Sequence, residues 1–137
     1  MIDVTCAIIR KANKILICQR SSNGKLPLKW EFPGGKVKKG EGKKECIKRE
    51  IKEELQLEIE VLQALKKTEH HYSDFSIRLF PFICEVISGQ PTLVVHEQIK
   101  WVEIPNLNQY DWAEANLAIV NELINIYKTS GISKKNE

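Results

Sequence analysis

The sequence lacks the cysteine spacing of a disulfide framework or of a zinc site. Its four cysteines are far apart, and none belongs to a Cys-x-x-Cys pair. Three of them lie inside apolar runs that are typical of strands. We therefore expect reduced thiols in the core of a protein from a reducing compartment, at Cys6, Cys18, Cys46 and Cys84.

Long apolar runs and a strong charge of either sign are also missing. No run approaches the roughly 20 apolar residues of a membrane-spanning helix, and the first residues lack the basic start and apolar block of a signal peptide. The net charge of +3 is too small to indicate nucleic-acid binding by itself. These absences predict a cytoplasmic protein that has neither a membrane nor a nucleic-acid polymer as partner.

The length and the order of apolar patterns indicate one α+β domain. A chain of 137 residues can bury roughly two-thirds of its unfolded surface without disulfides. We expect a domain over residues 1–130 and a polar tail over residues 131–137. The predicted order of a hairpin, a short strand, a helix, several strands and a last helix implies a mixed β-sheet between helices.

Strands are expected over residues 4–10, 14–20, 30–35, 57–65, 75–87 and 99–104, and helices over residues 43–55 and 112–127. The first two strands are apolar at nearly every position, which is typical of strands covered on both faces. Pro81 predicts that the strand over residues 75–87 is bulged or lies at a sheet edge. Gly34 and Gly35 end the third strand and permit close backbone approach and positive φ.

Three carboxylates share one face of the helix over residues 43–55. Glu50, Glu53 and Glu54 stand at i, i+3 and i+4, and side chains at that spacing are neighbours. Like charges repel, so this face is either well solvated or gathered by a cation. Oxygen ligands suit Mg²⁺ or Mn²⁺ better than Zn²⁺. The lysines between residues 36 and 48 leave two interpretations open, a solvated face and a rim that attracts polyphosphate.

The segment around these carboxylates resembles the Nudix hydrolase signature. That signature has nine fixed positions over 23 residues, and the chain matches all but one, where Gln56 replaces a glycine. The matching residues are Gly35, Glu41, Arg49, Glu50, Ile51, Glu53, Glu54 and Leu57. The resemblance implies an α/β/α sandwich over essentially the whole chain and hydrolysis of a phosphoanhydride.

The resemblance also implies roles for individual residues. Glu50, Glu53 and Glu54 would bind Mg²⁺, or Mn²⁺ as a substitute, together with the Gly34 carbonyl and a downstream glutamate, Glu97. Two residues, Glu53 and Glu97, are candidates for the general base. Arg49 would orient the catalytic glutamate, and Lys36 would reach a terminal phosphate.

Residues 30–36 are similar to the MutT-like branch of the family, which hydrolyses oxidised nucleoside triphosphates such as 8-oxo-dGTP to the monophosphate and pyrophosphate. Its base pocket implies three substrate-binding residues here, Arg20, Phe32 and Asn116. The Asn116 amide can accept from the N7–H of 8-oxoguanine and donate to its O6, whereas normal guanine has an acceptor at N7.

Other substrates and a different class of protein remain alternatives. Residues 30–36 resemble the relatives that hydrolyse CTP or 5-methyl-dCTP nearly as well. A nucleoside diphosphate sugar or a capped RNA end is a further alternative, and so is a non-catalytic Nudix sensor domain. The retained signature glutamates favour an enzyme.

Overall fold

The computed structural model describes residues 1–129, and the predicted tail over residues 131–137 lies outside them. The strands are β1 (Ile2–Lys11), β2 (Lys14–Gln19), β3 (Trp30–Glu31), β4 (Gly34–Lys36), β5 (Glu58–Ala64), β6 (Thr68–His71), β7 (Ser76–Ser88) and β8 (Gln98–Glu103). The helices are α1 (Lys43–Leu55) and α2 (Leu117–Thr129), with short 3₁₀ helices at Ile104–Gln109 and Glu114–Asn116.

The eight strands form one mixed sheet. β1 is central and runs parallel to β7, and every other strand pairing is antiparallel. β4 pairs with the middle of β1, with Thr5 opposite Gly35, while β2 pairs with β8 along its whole length. The predicted hairpin of β1 and β2 is confirmed.

Both faces of the sheet are covered by a helix. Successive residues of a strand point to opposite faces, so Ala7 and Ile9 pack with the α1 side of the core, and Cys6 and Ile8 pack with the α2 side. This arrangement confirms the predicted α+β sandwich with a mixed sheet between helices. All four cysteines are buried and free.

Helix α1 confirms the predicted bounds and brings the acidic face to the sheet. Its apolar residues Cys46, Ile47, Ile51 and Leu55 are fully buried. The helix ends at Gln56, which has the left-handed conformation φ 58, ψ 37 and donates its backbone N–H to the Lys52 carbonyl. This is the conformation that the glycine of the signature favours.

Two predicted elements differ from the structure near the last helix. The helix expected over residues 112–127 begins only at Leu117. Residues 111–113 are held against β3 instead: the backbone N–H of Trp30 donates to the Asp111 carbonyl at 2.9 Å, and that of Ala113 donates to the Trp30 carbonyl at 2.9 Å. These non-local hydrogen bonds keep the segment extended, and a 3₁₀ turn then joins it to α2.

Pro81 predicted a strand that is bulged or lies at a sheet edge, and the edge alternative is wrong. β7 is an inner strand, because β1 pairs along one side and both β5 and β6 pair along the other. Pro81 lies where β6 gives way to β5, and its carbonyl accepts from the Leu65 N–H at 2.9 Å. β7 is bulged farther along: Glu58 pairs with Ser88 and Ile59 with Val86, which leaves Ile87 as an extra residue. A second register shift lies in β5, between Val61 and Gln63. β6 itself was not predicted, since its sequence is polar.

No helix within residues 1–129 is long and apolar enough to cross a membrane.

Candidate active site

The two glycines of β4 let the strand approach both β1 and α1. A Cβ on Gly34 would overlap the Thr5 carbonyl, and a Cβ on Gly35 would overlap the Glu50 carboxylate. Neither glycine has a positive φ. Their requirement is therefore space, and Gly35 in particular makes room for a carboxylate of the acidic helix.

Arg49 connects the loop after β4 with the acidic face of α1. It donates from Nε and Nη2 to both carboxylate oxygens of Glu41, at 2.6 and 2.9 Å. Its Nη1 donates to Glu50 at 2.8 Å and to both oxygens of Glu53 at 3.3 Å. Its Nη2 also donates to the Lys36 carbonyl at 3.2 Å. One guanidinium thus orients three carboxylates and a backbone carbonyl.

The charges in this network stabilise each other. Hydrogen bonds from Arg49 lower the pKa of Glu41 from 4.5 to about 2, and the backbone N–H of Lys38 adds to the effect. The same contacts, with Glu41 first, raise the pKa of Arg49. Both groups therefore keep their charges throughout the ordinary pH range.

Glu54 is different, because it lines the cavity and no cation within residues 1–129 contributes to the shift of its pKa. Burial, followed by the negative charges of Glu31 and Glu50, raises its pKa from 4.5 to about 8. Its Oε1 is buried, with no hydrogen-bond partner among the described residues. An orphaned carboxylate oxygen at this position fits a hard divalent cation, which prefers oxygen ligands.

The three glutamates of the acidic face of α1 have different surroundings. Glu50 packs on Gly35 and Arg49, Glu54 faces a cavity, and the Glu53 side chain is 55% exposed. Within residues 1–129 no group of three acidic, histidine or cysteine side chains is arranged to hold a metal ion. Glu54 and the neighbouring Gly34 are the residues that fit an ion best, and the other ligand assignments stay predictions.

A cavity of about 380 Å³ opens beside this acidic face. Many residues that the sequence predicted as functional line it together, although they are far apart in the chain: Arg20, Phe32, Gly34, Lys36, Glu54 and Asn116. The rest of the lining is mainly apolar, with Tyr72 and Phe75 stacked at 4.8 Å between ring centroids. Such a cavity can take a flat heterocycle and place its substituents near Glu54.

Asn116 lies at the end of the 3₁₀ turn before α2 and is buried. Its Oδ1 accepts the backbone N–H of Phe32 at 3.2 Å, and its Nδ2 lies 3.5 Å from the Ala113 carbonyl. The Phe32 contact fixes which side of the amide is the acceptor. The amide keeps a second lone pair and a second N–H for a ligand.

Two residues of the cavity wall were not predicted. Glu31 accepts from Arg20 Nη1 at 2.7 Å, and its other oxygen lies 3.0 Å from Nε2 of the buried His96. Tyr72 accepts the backbone N–H of Ala115 at 2.9 Å through its hydroxyl oxygen and so supports the turn that carries Asn116. A signal for Glu31 existed in the sequence, as a single charge between two aromatic residues of a short strand.

Glu97 lies apart from this group. Its side chain is exposed, its backbone N–H donates to the Gln19 carbonyl at 2.9 Å, and it is not among the residues of the described chain that line the cavity. The preceding His96 turns inward instead. The metal and base roles of Glu97 stay predictions.

An α/β/α sandwich in which a glycine-rich strand packs on an acidic helix beside a heterocycle-sized cavity has the features of a nucleotide hydrolase. Comparison with known proteins agrees with this class. Residues 4–122 match the family model described as NUDIX domain. The chain therefore belongs to the Nudix family, and it is an enzyme that acts on phosphoanhydride bonds.

Individual relatives cover nearly the whole chain. The 8-oxo-dGTP diphosphatase of Escherichia coli K12 is 28% identical over 123 residues, which span 89% of this chain and 95% of that protein. The CTP pyrophosphohydrolase of the same organism is 30% identical over 120 residues, 88% of this chain and 89% of that protein. The solution structure of the MutT protein from methicillin-resistant Staphylococcus aureus 252 is 42% identical, with a TM-score of 0.73 over 90% of this chain and 95% of that one.

Proposed function

We propose that the chain hydrolyses nucleoside triphosphates to the monophosphate and pyrophosphate, and that 8-oxo-dGTP is its preferred substrate. The observation that carries the proposal is one cavity lined both by Arg20, Phe32 and Asn116, which we call its base half, and by Gly34, Lys36 and Glu54, which we call its phosphate half. One half suits a base and the other suits charged phosphates. A relative whose name states 8-oxo-dGTP hydrolysis supports the choice.

The base half of the cavity favours a purine with a proton at N7. Asn116 can accept a hydrogen bond from that N7–H with the free lone pair of Oδ1 and donate one from Nδ2 to O6, while Phe32 keeps the amide from flipping. Guanine itself would place an acceptor against Oδ1. The mismatch costs about 1–3 kcal/mol, or roughly 5- to 150-fold in preference.

The phosphate half requires a divalent ion. When bound, Mg²⁺ or Mn²⁺ neutralises the charge that develops on the phosphate oxygens. Glu50, Glu53, Glu54 and the Gly34 carbonyl would hold it, and Glu97 is a further candidate ligand. The ion would also give the orphaned oxygen of Glu54 the partner that it lacks among the described residues.

The remaining residues orient the reaction. Arg49 binds both oxygens of Glu53 at 3.3 Å, which favours Glu53 as the general base that accepts a proton from the attacking water. Glu97 is the alternative base. Lys36 lies on the rim of the cavity, where its ammonium group can neutralise a terminal phosphate.

CTP is a second candidate substrate, and Glu31 favours it. A carboxylate in the wall of a base pocket can accept a hydrogen bond from the amino group at position 4 of cytosine, and Glu31 lines the cavity. The CTP pyrophosphohydrolase of Escherichia coli is a relative of similar identity. Hydrolysis of CTP or 5-methyl-dCTP would use the same phosphate half of the site.

The test is a nucleotide panel with Mg²⁺, in which pyrophosphate and orthophosphate are measured separately. The panel contains 8-oxo-dGTP, dGTP, CTP, 5-methyl-dCTP, a nucleoside diphosphate sugar and a capped RNA end. We expect pyrophosphate release, with the highest kcat/KM for 8-oxo-dGTP. Release of orthophosphate alone, or turnover of none of the triphosphates, would overturn the proposal.

A further inference from the structure

A buried hydrogen-bonded pair lies directly beneath the glycine strand of the site. Thr5, in the middle of β1, is fully buried, and so is Cys46, in the first half of α1. The Thr5 Oγ1 lies 3.2 Å from the Cys46 Sγ. Buried polar side chains are uncommon in a core that is otherwise apolar, so their polar atoms call for an explanation.

The pair is directed at two carbonyls of β4. Thr5 donates from Oγ1 to the Gly35 carbonyl at 3.3 Å. The Cys46 thiol lies 3.4 Å from the Lys36 carbonyl and 3.7 Å from that of Gly35. The strand that carries Gly34 is therefore held from below by side chains as well as by its pairing with β1.

The same carbonyls determine where the charged groups sit. The Lys36 carbonyl also accepts from Arg49 Nη2 at 3.2 Å, and that nitrogen lies 3.8 Å from the Cys46 Sγ. The Glu50 carboxylate packs directly against Gly35. A shift of residues 35 and 36 that reoriented these two carbonyls would thus move an anchor of Arg49 and the support of Glu50 together.

We propose that Thr5 and Cys46 are positioning residues of the hydrolytic site, which set the orientation of the Gly35 and Lys36 carbonyls and, through this part of β4, of Arg49 and Glu50. This inference rests on the proposed function for its kinetic consequence. The structural part of the inference, the orientation of the two carbonyls, does not depend on the proposed function. Small displacements of catalytic groups can lower rates by about a hundredfold, so loss of the hydrogen bonds of this pair should lower turnover.

The sharpest test compares Thr5→Val, which keeps the volume and removes the hydroxyl, with Thr5→Ser, which keeps the hydroxyl. We expect Thr5→Val to lower kcat about tenfold or more with KM changed less than about twofold, and Thr5→Ser to recover most of kcat. Cys46→Ala is compared with Cys84→Ala, another buried thiol beside a carbonyl, that of Phe82. Cys84→Ala should lower the melting temperature and leave kcat unchanged.

A second measurement does not depend on turnover. Amide chemical shifts and hydrogen exchange of residues 35–37 should change in Thr5→Val and return in Thr5→Ser, and the affinity for Mn²⁺ alone should fall several-fold in Thr5→Val. If the wild-type protein hydrolyses no triphosphate, the proposed function fails while these amide signals still test the pair. The inference is overturned if the signals of residues 35–37 stay the same in Thr5→Val, or if kcat falls equally in Thr5→Val and Thr5→Ser.

Discussion

Arg49 binds Glu41 in a two-pronged ion pair, from Nε at 2.6 Å and from Nη2 at 2.9 Å. The pair fixes the plane of the guanidinium, so that the remaining nitrogen, Nη1, faces Glu50 and Glu53. Glu41 therefore acts on the site through Arg49, although it is not among the residues that line the cavity. Planar two-pronged pairing is a property that lysine cannot reproduce.

Replacing Glu41 by Gln should lower kcat about 10- to 100-fold with little change in KM. The amide accepts only one of the two hydrogen bonds, so the guanidinium loses its fixed plane and Glu53 its orientation. Steady-state kinetics on the preferred triphosphate measure the effect. Glu45→Gln is the matched control, because Glu45 lies in the first turn of α1, the helix that carries Arg49, and is exposed. Equal losses in the two variants would contradict the role of Glu41.

Gly35→Ala should nearly abolish activity while the protein still folds. The added Cβ would overlap the Glu50 carboxylate, which must then leave its place beside Arg49. We expect kcat to fall about a hundredfold or more. Gly42→Ala is the control: its φ of −73° suits alanine, and the new Cβ meets only the end of the Glu45 side chain, at 3.0 Å. Retained activity in Gly35→Ala would show that catalysis does not require the Glu50 carboxylate at its position between Gly35 and Arg49.

The sequence predicted much of this site, and the misses have a common cause. Local patterns sufficed for α1, whose apolar residues recur along one side, and the resemblance supplied Arg20, Phe32 and Asn116, which do line one cavity. The contact of Glu31 with His96 joins residues 65 positions apart, and no local pattern reports such a pairing. The late start of α2 has the same origin, since the backbone of Trp30 holds residues 111–113 extended.

Glu54 should make the metal-free protein less stable as the pH rises. Its pKa is raised from 4.5 to about 8 in the folded protein, so folding favours the protonated form. The stability from that proton is complete below pH 4.5 and is lost as the pH rises through about 8. In EDTA, Glu54→Gln should therefore be more stable than the wild type at pH 8.5, by about 1–3 kcal/mol, and equal to it near pH 4.5.

Urea unfolding at the two pH values measures this difference, and Mg²⁺ provides the control. An ion bound by Glu54 stabilises the charged carboxylate, so saturating Mg²⁺ should remove the advantage of the Gln variant at pH 8.5. An advantage of Glu54→Gln that is the same at both pH values would show that the carboxyl does not titrate in this range.

Asn116→Asp should shift substrate preference from 8-oxo-dGTP towards CTP. An ionised aspartate can still accept the N–H of Phe32, but it has no proton to donate to O6 of the purine. We expect the ratio of kcat/KM for 8-oxo-dGTP to that for CTP to fall at least about fivefold. Asn108→Asp, an exposed position with the same chemical change, should leave the ratio unaltered. A ratio that stays at the wild-type value in Asn116→Asp would remove Asn116 from the base pocket.

Gln56→Gly should raise stability and leave the rate unchanged. Gln56 has φ 58 and ψ 37 at the end of α1, a conformation that costs a residue with a side chain roughly 1 kcal/mol more than glycine. Its side chain is exposed, so little packing is lost, and the midpoint of urea unfolding should rise accordingly.

Gln56→Ala is the matched control: it also removes the side chain but retains a Cβ, so its midpoint should not rise. An increase of the same size in Gln56→Ala would show that side-chain loss, and not relief of the left-handed backbone, is responsible. A change in kcat for Gln56→Gly would instead show that the turn after α1 controls the position of Glu53 and Glu54.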